Sequence, residues 1–278
     1  MGKIIMQEKI YQTDKGKIHY WINKPAEERL TLIFLPGLTA DHRLFDMQIE
    51  YFYEKYNLLV WDAPGHFNSR PFELTFSLKE KAEYLYQIIK IEEIVKPVII
   101  GQSMGGYVAQ CILQYYPDLL SGFVSIDSAP LKRKYVTAAE LWLLKRIKPF
   151  YQMYPWGLLK KSGALGCANT DYGHQVMLEM METYQKNEYC DLASHGYKIL
   201  AEAMELNLPY EITCPSCLIC GEKDKAGSTK RYNKKWTQTE GIRLYWIKNA
   251  GHNSNTDAPQ EVNDIIQKFI YDIEQTGN

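Results

Sequence analysis

Nine residues constrain this chain more than any others: Val98-Ile99-Ile100-Gly101-Gln102-Ser103-Met104-Gly105-Gly106. An apolar run too short to be a helix ends in Gly-x-Ser-x-Gly. A segment of helical period follows over 103–116, and Pro117 closes it. A strand that turns at once into a helix passes through a bend so tight that small residues must flank its apex. Gly101 and Gly105 supply them. The apex residue, Ser103, is then held out at the carboxyl end of a strand and at a helix N-terminus. Backbone N–H groups and the helix dipole there favour a developing anion. A chance Gly-x-Ser-x-Gly in a loop would not come with a strand before it, a helix after it and a third glycine, Gly106.

The rest of the chain repeats the same unit. Apolar runs at 30–35, 57–61, 97–100, 122–126, 214–220 and 242–247 alternate with helical patterns at 43–55, 77–90, 103–116, 229–239 and 259–274. Ser77 with Glu80 three residues on marks a capped helix start. Two strands, 4–11 and 17–22, precede them, with a turn at 14–16. Buried strands alternating with amphipathic helices predict an α/β fold, a mostly parallel sheet covered by helices on both faces. Between 131 and 208 the alternation stops. That segment reads as helices rich in Tyr, Trp, Leu and Met. We therefore divide the chain into one α/β domain, 1–130 and 209–278, and a helical insert, 131–208.

Composition narrows the function. Of 278 residues 23% are charged, with a formal net charge of −1. This balance argues against a disordered chain and against a nucleic-acid partner. No stretch approaches 18 apolar residues, so no membrane span is expected. Lys3, Glu8 and Lys9 interrupt the first residues, which predicts no signal peptide. The six cysteines then read as reduced thiols in a cytoplasmic protein. Cys214, Cys217 and Cys220 are three apart, a spacing that turns strand side chains to opposite faces, so no metal site is expected there. Cys111 falls in a helix core. Nothing in the sequence specifies an oligomeric state.

A serine needs a base. Of the six histidines, His252 alone lies in a loop just after a late strand, in Asn249-Ala250-Gly251-His252-Asn253-Ser254. His19 falls in a strand, His42 before a helix, His66 in a turn, and His174 and His195 in the insert. The base in turn needs a carboxylate to orient it. Gly221-Glu222-Lys223-Asp224 places Asp224 at the carboxyl end of the strand 214–220. The chain order Ser103, Asp224, His252 is that of one fold.

On these residues the sequence resembles the α/β-hydrolase family, over most of the chain outside the insert. Leu32-Ile33-Phe34-Leu35-Pro36-Gly37-Leu38 is similar to the family's strand and oxyanion loop, with Pro36 where His is usual. Trp61-Asp62-Ala63-Pro64-Gly65-His66-Phe67-Asn68-Ser69 is similar to its Asp-x-Pro-Gly-His-Gly-x-Ser turn. Phe67 stands where Gly is usual, a departure we place at the rim of the site. The resemblance implies an oxyanion hole made by the backbone N–H groups of Leu38 and Met104. It also implies that the insert is a cap. Some members carry the acid after the preceding strand, which makes Asp127 the main alternative to Asp224 and leaves Glu222 a lesser one.

These readings converge on a serine hydrolase that cleaves a carboxylic ester or related acyl bond of a small molecule and requires no cofactor. Carbon–carbon hydrolysis, cofactor-free haloperoxidation and thioester or lactone hydrolysis share the triad. A small-molecule receptor on the same fold is the reading from another class. Within the insert, 131–161 carries eight basic residues against Glu140 alone, whereas 162–210 carries two against seven acidic ones. Either this asymmetry steers an anion or the two halves compensate each other, the reading we favour. The insert aromatics Trp142, Tyr151, Tyr154, Trp156, Tyr172 and Tyr184 are expected to divide between pocket lining and packing against the sheet domain.

Overall fold

A computed structural model describes residues 5–26 and 28–276. The strands are β1 (Gln7–Gln12), β2 (Lys17–Asn23), β3 (Thr31–Leu35), β4 (Asn57–Trp61), β5 (Val98–Gln102), β6 (Gly122–Ile126), β7 (Ser216–Gly221) and β8 (Arg243–Ile247). They form one sheet in the order β1-β2-β4-β3-β5-β6-β7-β8. β1 and β2 pair antiparallel, as do β2 and β4; every later pairing is parallel.

Every residue of β3, β4, β5 and β6 is buried, as continuous apolar runs require when helices cover both faces. Successive strand side chains alternate between faces, and the core divides accordingly. Ile33, Leu35 and Ile99 point into one apolar cluster; Leu32, Phe34, Val98 and Ile100 point into the other. Helices α2 (Leu78–Ile91) and α3 (Met104–Tyr115) cover the first face, whereas α1 (Asp46–Phe52) and α11 (Pro259–Thr276) cover the second. The expected start of α2 is a complete capping box between Ser77 and Glu80.

Between β6 and β7 lie five α-helices and no strand: α4 (Ala138–Leu144), α5 (Lys148–Met153), α6 (Trp156–Cys167), α7 (Asp171–Glu182) and α8 (Lys186–Glu205). They pack on both clusters, Leu141, Ile199, Leu200 and Met204 on one, Leu159, Met177 and Met180 on the other. The segment therefore straddles the carboxyl edge of the sheet. α9 (Thr229–Glu240) and the short α10 (Ser254–Asp257) complete the chain.

Two local expectations need correction. Residues 43–55 are not one helix. A 3-10 turn, His42–Phe45, precedes α1, because Asp41 caps that turn by accepting from the Arg43 N–H and Asp62 accepts from the His42 N–H. The strand expected from Cys214 begins at Ser216 instead, after Pro215, which has no N–H to give to a ladder. The part of the first expected strand at Ile4 lies outside the described residues.

Candidate active site

β5, the turn at Ser103 and α3 form the elbow the motif predicts. Ser103 has φ +48° and ψ −113°, a conformation that costs a non-glycine residue on the order of 1–3 kcal/mol. The bend is held by the Ser103 N–H on the Ile126 carbonyl, 2.9 Å, and the Gly106 N–H on the Ser103 carbonyl, 3.0 Å. A Cβ on Gly105 would lie 1.9 Å from the Leu35 carbonyl oxygen, and one on Gly101 2.5 Å from the Gly105 carbonyl carbon. Larger residues at either place would push α3 off the sheet.

β7 and β8 deliver the partners. The Ser103 hydroxyl donates to Nε2 of His252, 2.8 Å. Nδ1 of His252 lies 3.0 Å from Oδ2 of Asp224. A carboxylate only accepts, so the Asp224 contact fixes the proton on Nδ1 and leaves Nε2 free to accept. The Ala226 N–H occupies the other oxygen of Asp224 at 2.7 Å. Burial disfavours a charge on His252, but the Asp224 carboxylate and, behind it, Asp127 outweigh that effect and raise its pKa. The other histidines are engaged elsewhere: His42 Nδ1 meets Asp62 Oδ1 at 2.9 Å, and His195 packs its ring on Phe76.

Asp127 is not in this chain of bonds. Its oxygens accept the backbone N–H groups of Gly221 and Ser254, each at 2.8 Å. One is the last residue of the strand leading to Asp224; the other follows His252 by two positions. Burial and the nearby Asp224 charge push the Asp127 carboxyl up to about 7. Glu222 is exposed. Gln102 adds a second brace, its Nε2 donating to the His252 carbonyl at 2.8 Å and to Asn253 Oδ1 at 3.1 Å. The insert supplies a third: the Asn253 N–H donates to the Cys167 carbonyl at the end of α6, 2.7 Å.

The loop after β3 closes over the elbow. A Cβ on Gly37 would fall 2.3 Å from Gln102 Oε1 and 3.2 Å from the Ser103 Cβ, so only glycine lets this backbone approach so near. The Ala40 N–H reaches back to the Gly37 carbonyl, 3.3 Å, and Thr39 takes φ +65°. Leu38 therefore lies inside a tight turn beside Ser103. Met104 opens α3, and the first N–H groups of a helix have no intrahelical partner.

A cavity with two lobes opens on Ser103 and His252. The larger, about 470 Å³, is lined from the Gly37–Ala40 turn and from α5, α6, α7 and α8. The smaller, about 330 Å³, is lined from α3, α4, α8 and α9. Leu38, Ser103, Tyr151, Tyr197, Ala226 and His252 belong to both.

Of the expected insert aromatics, Tyr151 and Tyr154 line the larger lobe. Trp156 and Tyr184 pack on Tyr189, whereas Trp142 is exposed beneath the Arg146 guanidinium. Tyr172 is partly exposed and lines a separate shallow groove with Arg43. Tyr189 and Tyr197, missed from the sequence, line the cavity with Ala193 between them. Their spacing of eight along α8, two steps of four through Ala193, was the available signal. Phe67 is not among the residues lining either lobe, which corrects its placement at the rim. Its φ of +34° explains why glycine would suit that turn, and its ring instead packs under the Arg43 guanidinium at 4.6 Å.

Among the described residues two clusters have the make-up of metal ligands: Asp41, His42 and Asp62, and Asp127, Cys220 and Asp224. Their carboxylates already accept protein hydrogens, Asp41 from Arg43, Asp62 from His42 and Asn68, and Asp127 and Asp224 from the N–H groups named above. The insert's two charged halves pair with each other through Lys145–Glu205, Lys148–Asp191 and Lys160–Glu182, so they compensate. Among the described residues no helix is long and apolar enough to cross a membrane.

Comparison with known proteins agrees with this architecture. The chain is similar to the (E)-2-((N-methylformamido)methylene)succinate hydrolase of Acinetobacter baylyi, 20% identical over 95% of this chain and 98% of that one. Among solved structures it is similar to a hydrolase from Pseudomonas aeruginosa PA01, with a TM-score of 0.78 and 16% identity over 95% of this chain and 98% of that one. It is also similar to the enol-lactonase from Burkholderia xenovorans LB400, with a TM-score of 0.75 and 18% identity over 95% of this chain and all of that one. The family model for the alpha/beta hydrolase fold matches residues 31–259, and with the elbow and the eight-stranded sheet in place the chain belongs to that family of hydrolases.

Proposed function

We propose that the protein is a serine hydrolase cleaving a carboxylic ester or related acyl bond through an acyl-enzyme on Ser103. The unbroken chain of hydrogen bonds from Ser103 through His252 to Asp224, at the floor of a cavity, carries this reading. In it, Oγ of Ser103 attacks the acyl carbon as Nε2 of His252 takes its proton. Asp224 holds the ring in the correct tautomer and stabilises the imidazolium. The N–H groups of Leu38 and Met104 receive the oxyanion. His252 returns the proton to the leaving group, then activates the water that frees the acid. Asp224 is favoured over Asp127 as the acid because it faces Nδ1 directly, while both oxygens of Asp127 serve backbone N–H groups.

In the same reading, 131–208 is the cap and roofs the cavity, while 1–130 and 209–278 supply the chemistry. The relatives are named for a lactone and for a substituted succinate, and a nucleophile of this kind serves acyl transfer broadly. The test is covalent. An organophosphonate is expected to modify Ser103 alone, as read by peptide mass mapping. Modification of another residue, with Ser103 left free, would overturn the assignment.

A further inference from the structure

The two lobes differ in charge, and this bears on what the proposed hydrolase accepts. Apart from His252, the larger lobe has one residue with a formal charge in its lining, Lys225. The smaller has one as well, Glu140. The two are not equivalent. Glu140 is already satisfied: its oxygens accept from Tyr232, Ser228, Arg231 and Thr137, and these bonds hold its carboxyl down to about 2. Lys225, by contrast, forms no ion pair with any described carboxylate. Its backbone is held beside the lobe, because the Ala226 N–H donates to Asp224 Oδ1 at 2.7 Å, while its side chain is exposed.

A second donor lines the same lobe. Asn253 is 3% exposed. Its Oδ1 accepts from Gln102, yet its Nδ2 has no hydrogen-bond partner. A buried amide N–H without an acceptor costs about 1–3 kcal/mol, a cost that a bound oxygen would remove. The lobe thus offers an ammonium, an unused amide donor buried just behind its wall that a small side-chain turn would present, and no carboxylate among the described residues lining it.

We propose that the larger lobe is a carboxylate subsite, so that the preferred substrate carries an anionic group on one side of the scissile acyl bond and an apolar group on the other. The inference rests on the hydrolase reading above. Lys225 is the specificity-determining residue, and Asn253 a supporting donor. The smaller lobe, lined by Val136, Leu143, Leu144, Ile147, Leu200 and Met204, takes the apolar group.

The experiment uses two matched ester pairs. In one, p-nitrophenyl pentanoate is set against the mono-p-nitrophenyl ester of glutarate, with the charge in the acyl chain. In the other, propyl butyrate is set against 3-(butyryloxy)propanoate, with the charge in the alcohol. At low salt the wild type is expected to favour the anionic member of one pair in kcat/KM, and the preference should shrink as ionic strength rises. Lys225→Met should lower that anionic-to-neutral ratio by about tenfold, and Lys225→Glu should invert it. Lys234→Met, on the exposed side of α9, controls for net charge and should leave the ratio alone. Glutarate should also protect Ser103 from phosphonate labelling better than its neutral diamide, glutaramide, does, a readout that needs no turnover. Equal protection, or ratios that the Lys225 variants leave unchanged in both pairs, overturns the subsite while the triad stands. A phosphonate that leaves Ser103 unmodified overturns the hydrolase reading itself.

Discussion

The loops at the carboxyl edge of the sheet and the helices that cover them are built to different standards. Around Ser103, Asp224 and His252 nearly every backbone position is fixed by a short hydrogen bond or a contact that excludes a larger side chain. In the covering helices, Trp142, Phe150, Met153, Tyr154 and Leu158 leave half or more of their surface in solvent, and α5 has no buried residue at all. Acyl chemistry requires atoms held to a fraction of an ångström. Enclosing a substrate requires apolar area and some freedom to move. The comparison teaches that here rigidity is concentrated where bonds would be broken and apolar surface where a substrate would be chosen.

The sharpest way to break this division is to remove the proposed nucleophile. Ser103→Ala should unfold at an unchanged temperature and lose ester hydrolysis by on the order of 10⁴-fold or more. An alanine variant that keeps its rate would take the chemistry away from the elbow.

Next in size is the proposed acid. Asp224→Asn should lower the rate by about 10³- to 10⁴-fold, because it favours the wrong tautomer of His252. Asp127→Asn should behave differently, costing far less in rate but about 1–3 kcal/mol in stability, since an amide cannot accept from both the Gly221 and Ser254 N–H groups. Rate measurements beside denaturant titrations separate the two, and a reversed pattern would exchange their roles.

The covering helices are probed by chain length. One methylene in an apolar pocket changes kcat/KM by about 10- to 200-fold. Tyr151→Ala or Tyr154→Ala should therefore shift the preferred ester length while phosphonate labelling of Ser103 persists. Trp142→Ala should shift nothing, because Trp142 faces solvent. If all three variants keep the wild-type profile, recognition belongs to the sheet loops after all.

The smallest effect is in pH. In the proposed mechanism His252 must be neutral to accept the serine proton, and its pKa is raised above 6.5 by the surrounding carboxylates. Activity should thus fall as pH drops through a midpoint above 6.5. Removing the Asp224 charge should move that midpoint down, and removing the Asp127 charge should move it down by less. A midpoint indifferent to both would mean that another group limits the rate.

What could be read in advance follows the same division. The elbow was legible because a bend that admits only glycine writes itself into five consecutive residues. The strands β4 and β6 were legible to the residue, because apolar runs bounded by turns carry their own limits. The double brace of Asp127 was not, since its partners lie 94 and 127 positions away. Nor was α10, four residues long and packed beside His252, nor the 3-10 turn that Asp41 imposes before α1. In each case a side chain from a distant segment sets the local backbone, and no periodicity records it. Lys225 and Asn253 escaped notice for a related reason: an exposed lysine and a loop asparagine become informative only when one cavity is found to join them.

β6 and β7 are hydrogen-bonded neighbours, Val124 opposite Cys217, yet the whole run of α4 to α8 is threaded between them. The point of departure and the point of return are therefore adjacent in the sheet whatever lies in between. The entropic cost of closing such an excursion rises only with the logarithm of its length, so the segment behaves as an exchangeable cassette on a fixed chassis. A lineage could lengthen, shorten or replace it without altering the register of a single strand, and new substrates could be tried while the proposed catalytic residues stayed as they were.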